Sequence, residues 1–231
     1  MKPTAFVLVA LHASSPPRGR RDLLDELASR LAFMAGCPEA LVHEIIDDRQ
    51  LGIDHARGTM QIDALVEITH ADWTAGTFAN RLTAQRAEAR ELLRSASLCF
   101  VTCSKNLVVP VDATEAPRLA KRMSLITRAR AIDHARFTEE WTGKHARDVP
   151  SLPGIAGYSQ NIVIARYGGD LAEAGRDNVP VDGIVELWFA DAEAIVAAFA
   201  SPQAAITQGH ARTFLDTITT YLVETRKVAA A

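Results

Sequence analysis

Apolar residues alternate with a strand-like period over residues 4–12, then recur at helical spacing over residues 19–35, where Leu23, Leu27 and Leu31 form one stripe. A second strand is predicted at residues 40–46, then a polar loop carrying Gly52 and Gly58, and a third strand starting at Asp63. A charged helix over residues 72–95 and a strand at residues 98–103 complete the series. The same order then returns. Residues 118–128 predict a strand, and Asp133 is placed to cap a helix reaching Val149, which Pro150, Pro153 and Gly154 stop. Strands at residues 155–167 and 182–189 flank a loop rich in Gly and Asp, and a helix at residues 192–200 and a strand at residues 217–225 follow.

Each half therefore reads β-α-β-β-α-β, the split βαβ order that gives a four-stranded antiparallel sheet with its helices on one face. An internal match supports the repetition: DALVEITHAD at residues 63–72 against DGIVELWFAD at residues 182–191. The uncovered face of each sheet needs a partner, and a second copy in the same chain supplies it. The predicted fold class is α+β: tandem ferredoxin-like βαββαβ repeats closing a barrel within one chain. The expected division is an N-terminal repeat at residues 1–107, a linker at residues 108–117 containing Pro110 and Pro117, and a C-terminal domain at residues 118–231.

Strand alternation sorts the matched segments by face. Val66, Ile68 and His70, with Val185, Leu187 and Phe189, are expected beneath the helices. Leu65, Glu67 and Thr69, with Ile184, Glu186 and Trp188, would point into the barrel. A glutamate at the same inward place in both halves is unusual, since an unpaired buried carboxylate is costly. It predicts either an ion pair across the repeats, with Arg122, Arg128 or Lys121 as partners, or a general base or ligand-orienting group.

The helix DHARFTEEWTGKHARDV carries the strongest chemical signal, because Phe137, Trp141, His145 and Val149 are spaced by four and share a stripe. His145 thus sits among apolar neighbours, either as a satisfied core residue or as the polar group of a small-molecule pocket. Trp141, Tyr158, Trp188, Gln160 and Asn161 on adjacent elements favour the pocket.

Composition narrows the function classes. The 231 residues are 48% hydrophobic and 23% charged, with a formal net charge of -3, so neither a disordered chain nor a nucleic-acid-binding surface is indicated. No apolar run approaches the ~20 residues of a membrane span. The apolar start at residues 5–11 is read as a strand rather than a signal peptide, because the pattern recurs later. Three cysteines argue against a disulfide framework, and the cytoplasm is the expected compartment. The seven histidines join no metal-binding motif, and there is no phosphate-binding glycine loop. The cluster from Arg18 to Arg21 reads as solvated surface.

The stretch FTEEWTGKHARDVPSLPGIAGYSQN, followed by VDGIVELWF and FASPQ, resembles the EthD domain family of the dimeric α+β barrel superfamily. Trp141, the Lys144-His145 pair, Pro153-Gly154, Asn161, Asp182-Gly183, Glu186, Trp188-Phe189 and Ser201-Pro202 carry the resemblance, which spans residues 118–223. The first half is similar only in pattern, lacks the Trp and Lys-His elements, and looks like a degenerate copy. The resemblance implies small-molecule metabolism without a cofactor or metal, by a lyase, isomerase or monooxygenase-like enzyme. His145 would be its catalytic acid or base, performing dehydration, isomerisation or proton abstraction next to a carbonyl. Trp141, Tyr158, Asn161, Glu186 and Trp188 would contact a small apolar or aromatic substrate. Arg147 stands where the family usually has Pro, which could alter the pocket mouth. The alternative is a non-catalytic ligand-binding or assembly protein of the same fold. No nucleic-acid or membrane partner is expected, and free sheet edges would allow a homodimer.

Overall fold

The period-two segments become eight strands: β1 (Lys2–Leu11), β2 (Glu39–Asp47), β3 (Ala64–Thr69), β4 (Ala96–Val109), β5 (Ala120–Arg128), β6 (Gly157–Tyr167), β7 (Gly183–Phe189) and β8 (Leu215–Ala229). The computed structural model describes residues 2–12, 19–70 and 77–231. All strand pairings are antiparallel, and they close a barrel in the order β1-β3-β2-β8-β5-β7-β6-β4. Each half supplies four neighbouring strands, and the β2–β8 and β4–β6 ladders join the halves.

Those two ladders explain why β4 and β8 outrun their sequence expectation. Residues 96–105 of β4 pair with β1, while residues 100–109 pair with β6. Likewise residues 215–223 of β8 pair with β5 and residues 222–229 with β2. Each must satisfy backbone groups on two ladders that are offset along its length. The segment expected to be a linker thus begins inside β4 and ends in a 3₁₀ turn, Ala116–Arg118.

Helix α1 (Arg20–Ala35) buries Leu24, Leu27 and Leu31 in one cluster with Val66 and Ile68 of β3, while Leu23 is buried at the margin of that cluster, toward Leu92. It ends at Gly36, whose φ of 71° lets the Gly36 and Cys37 amides donate back to Phe33 and Ala32. The single charged helix expected over residues 72–95 is two helices, α2 (Thr77–Ala84) and α3 (Arg86–Leu92), broken at Gln85. Residues 72–76 of that expectation lie outside the described residues, as does Arg18 of the basic cluster. The Gln85 amide donates to the Met34 carbonyl at 2.9 Å, so leaving helical geometry lets it satisfy the end of α1.

In the second half, Asp133 caps α4 (His134–Glu140), accepting from the Arg136 amide at 2.8 Å. A π turn (Trp141–His145) and α5 (Ala146–Asp148) continue it. After α6 (Ala192–Phe199) comes a helix that the periodicity did not reveal, α7 (Pro202–Ala211). Its start was legible: Ser201 caps it, accepting from the Ala204 amide, and Pro202 takes the first turn, where a missing N–H is harmless.

The barrel interior is apolar at one level, with Phe6, Leu8, Leu65, Met123, Leu125 and Ile184 in one cluster. At another level it is ionic. Lys105 bridges Glu67 at 2.9 Å and Glu186 at 2.8 Å, and Lys121 reaches Glu186 at 2.6 Å. His43 binds Glu67 through Nε2 at 3.0 Å and Thr225 through Nδ1 at 2.9 Å. Burial alone would raise both carboxyls, but Lys105 and Lys121 outweigh it and hold them below the usual carboxylate range. The inward glutamates are therefore ion-paired, and Lys105 carries the network from Glu67 of the first half to Glu186 of the second. Of the three partners expected, only Lys121 serves: Arg122 lies on the outer face, and Arg128 turns to Asp182 at 3.4 Å.

Candidate active-site cleft

The helices of the second half border a partly open cavity of about 60 Å³ against the outer face of its sheet. Its walls include Trp141, His145 and Val149 from the α4–α5 segment, Tyr158 from β6, and Arg122 and Ser124 from β5. The π turn decides what this wall presents. An α-helix advances 100° per residue, so residues four apart drift by about 40° at each step. A π turn is wider and absorbs the drift, so Phe137, Trp141, His145 and Val149 all face the sheet. Gln160 holds the turn open, its amide donating at 2.7 Å to the Trp141 carbonyl and at 2.7 Å to the Tyr158 hydroxyl. Trp141 can approach β7 this closely only because residue 183 is glycine: a Cβ there would stand 2.3 Å from the indole.

His145 is half-buried, and its Nδ1 has no hydrogen-bond partner. Its ring lies 5.6 Å from that of His210 and meets the Phe214 ring edge-on at 5.3 Å. Burial, then the nearby His210 and Lys144, push its pKa down to about 3, so the imidazole is neutral at physiological pH. His210, on α7, is buried, and its Nε2 contacts the Glu140 carboxylate at 3.2 Å, which Arg136 also pairs. Sequence reasoning did not find His210, because it missed the helix that carries it.

The structure divides the residues singled out in the sequence into two sets. His145, Trp141 and Tyr158 meet in the cleft. Asn161 and Glu186 do not join them: they point into the barrel, where the Asn161 amide donates to Glu186 at 2.8 Å and to the Ile184 carbonyl at 3.0 Å. Trp188 is half-buried on that side, with the Lys121 ammonium 4.8 Å above its ring. The physical reason is the period of two, since Tyr158 and Asn161, three apart on β6, fall on opposite faces. Arg122, expected to pair with Glu186, instead enters the cleft. Among the described residues, no group of three or more His, Cys, Asp or Glu is placed to hold a metal ion, and all three cysteines are unpaired. Among the described residues no helix is long and apolar enough to cross a membrane.

Comparison with known proteins agrees with this architecture. Residues 129–218 match the family model of the EthD domain, a segment that includes Trp141, His145, Tyr158 and His210. No curated protein matches the chain in sequence. Among solved structures, an anthrone oxidase-like protein superposes with a TM-score of 0.65 at 13% identity, covering 100% of this chain and 96% of its own. A candidate monooxygenase of Fusobacterium nucleatum gives 0.55 at 7% identity, covering 99% and 94%. One of Lactobacillus acidophilus gives 0.50 at 10% identity, covering 99% and 97%. At these identities the likeness establishes the fold. Residues 129–218 thus match the EthD domain, and the chain as a whole has the α+β barrel fold of these solved structures, closed here within one polypeptide.

Proposed function

We propose that the cleft is the active site of an enzyme that needs no cofactor and moves a proton on a small apolar or aromatic molecule, with His145 as the base. The observation that carries this is the buried, unpartnered Nδ1 of a neutral imidazole in the wall of an apolar cavity. A neutral imidazole keeps a lone pair available at physiological pH, whereas an imidazolium does not. With a pKa near 3 it is a weak base, so it suits a carbon already acidified by a neighbouring carbonyl. Proton abstraction next to a carbonyl is thus the favoured step, and dehydration or isomerisation can follow from it. Trp141 and Tyr158 form the apolar wall; we assign Asn161, Glu186 and Trp188 to the barrel interior rather than to substrate contact. The names of the structural neighbours, anthrone oxidase-like and candidate monooxygenase, support small-molecule chemistry on this fold.

At about 60 Å³ the cavity has room for a few water molecules. A single aromatic ring needs roughly 150 Å³, so an aromatic substrate requires the helices over the sheet to move outward. The same small volume favours a second reading, a pocket that binds a small ligand without transforming it. Deuterium incorporation from heavy water into a panel of small ketones and keto acids, followed by proton NMR, separates the two. The enzyme is expected to exchange a proton next to a carbonyl, and His145→Ala to slow that exchange by ~10²- to 10⁴-fold with the fold intact. Exchange that persists within a few-fold in His145→Ala removes the catalytic assignment, and saturable binding without exchange supports the binding role.

A further inference from the structure

Arg122 is 1% exposed, yet its guanidinium meets no carboxylate among the described residues. Nη1 donates to the Leu51 carbonyl at 3.3 Å, and Nη2 to the Gln50 carbonyl at 3.3 Å and the Thr220 hydroxyl at 3.1 Å. The Phe199 ring lies under the guanidinium, 4.0 Å from Cζ to the centroid, and Nε has no partner at all. Every other strongly buried charge described above is compensated: Glu186 by Lys105 and Lys121, and Asp182 by Arg128, Arg166 and Arg176. An uncompensated buried cation is among the costliest features a fold can carry. Arg122 lines the same cavity as His145 and lies ahead of the segment that matches the EthD domain.

We propose that Arg122 is the anion-binding residue of the cleft, and that its ligand is a small organic acid whose carboxylate sits on the guanidinium while its apolar body lies against Trp141 and Tyr158. This rests on the cleft being the functional site and names the class of molecule it takes. The chemistry fits. A guanidinium offers parallel N–H donors matched to a carboxylate, and charge-assisted bonds of this kind are roughly twice as strong as neutral ones. The free Nε provides a donor that no protein group uses, and the mostly apolar walls lower the local polarity and so strengthen the pair. The neighbour on β5, Lys121, faces the opposite way and neutralises Glu186, so alternation alone sends one cation to the barrel and the other to the cleft.

The test is titration calorimetry of the full chain with propanoate, butanoate and benzoate, each against its uncharged amide. At least one acid is expected to bind tenfold or more tightly than its amide, and Arg122→Gln to erase that preference. In the unsubstituted protein, the Arg122 Nε resonance in nitrogen-15 NMR is expected to move with the acid and not with the amide, which decides the matter even where Arg122→Gln does not fold. Equal binding of acid and amide, a preference that survives in Arg122→Gln, or no saturable binding of any of the acids overturns the proposal. His145→Ala separates the two assignments: it is expected to keep the acid preference while losing proton exchange. Loss of exchange without any acid preference would uphold the base and refute the anion site.

Discussion

At the scale of the residue, the cleft's chemistry depends on what burial does to ionisable groups. His145 and Arg122 are both desolvated, with opposite results: the imidazole gives up its charge, whereas the guanidinium, lowered to about 9, stays cationic at neutral pH. For His145 the consequence is measurable. Its ordinary pKa of 6.5 applies to the unfolded chain and about 3 to the folded one, so below 6.5 the unfolded state takes up the proton first. Stability is therefore fully present above pH 6.5 and is lost as the pH falls toward 3, by up to about 1.4 kcal/mol per pH unit. Urea unfolding at successive pH values below neutrality is expected to show this slope, and His145→Asn to reduce it by the His145 share. His43, lowered by burial and then by Lys121, contributes in both proteins and cancels in the comparison. The His145 ring protons are likewise expected to show no titration near pH 6.5 by NMR; a midpoint there would mean that the ring is solvated.

At the scale of the element, the segment from α4 to α5 shows how local irregularity creates a site. A regular helix would turn His145 away from the stripe set by Phe137; the π turn and the Gln160 clamp return it. The four-residue spacing of the stripe was visible in the sequence, but the turn that reconciles it with helical geometry was not, because Gln160 comes from a different element. Gly183 is the matching device on the sheet. Gly183→Ala sets a methyl 2.3 Å from Trp141 and is expected to destabilise the protein by about 1–3 kcal/mol in denaturant unfolding, with a change in tryptophan fluorescence. An unchanged midpoint would show that the indole moves aside freely. Helix α7 was missed for another reason: its residues, PQAAITQGHA, are small or polar and form no apolar stripe, so only the Ser201-Pro202 cap announced it.

At the scale of the whole molecule, the ion network locks one half of the barrel to the other, since Lys105 and Glu67 come from the first half and Glu186 and Lys121 from the second. Lys105→Met leaves two carboxylates facing each other with one lysine and is expected to cost about 3–5 kcal/mol. Glu67→Gln added to it should recover part of that loss, as a double-mutant cycle in urea would show. The pH window has two edges. The lowered carboxyls give stability that is present above about 4.5 and lost as the pH falls through their folded values. Lys105, raised because Glu67 and Glu186 outweigh its burial, gives stability that is present below about 10.5 and lost as the pH rises beyond it. Barrel closure also bears on self-association. Each strand has a neighbour on both sides, so a homodimer of this chain would have to form through faces rather than sheet edges.

The order of elements, the repetition of that order and the face on which each residue of the matched strands lies were determined by the sequence itself, because periods of two and 3.6 are local properties of the backbone. Trp141, His145 and Tyr158 could be brought together from the sequence for the same reason: one helix stripe and one strand face meet wherever a ferredoxin-like half folds. Which charges pair was decided only by the tertiary structure. Glu186 finds Lys105, 81 residues away, across the β4–β6 and β6–β7 ladders, and His210 reaches Glu140 from a separate helix. Arg122 carries the same charge as its neighbour Lys121, and nothing in its immediate sequence marks it as lacking a carboxylate. Its isolation in the cleft depends on what loop 50–53, Phe199 and Thr220 place around it, which is a property of packing between segments distant in the chain.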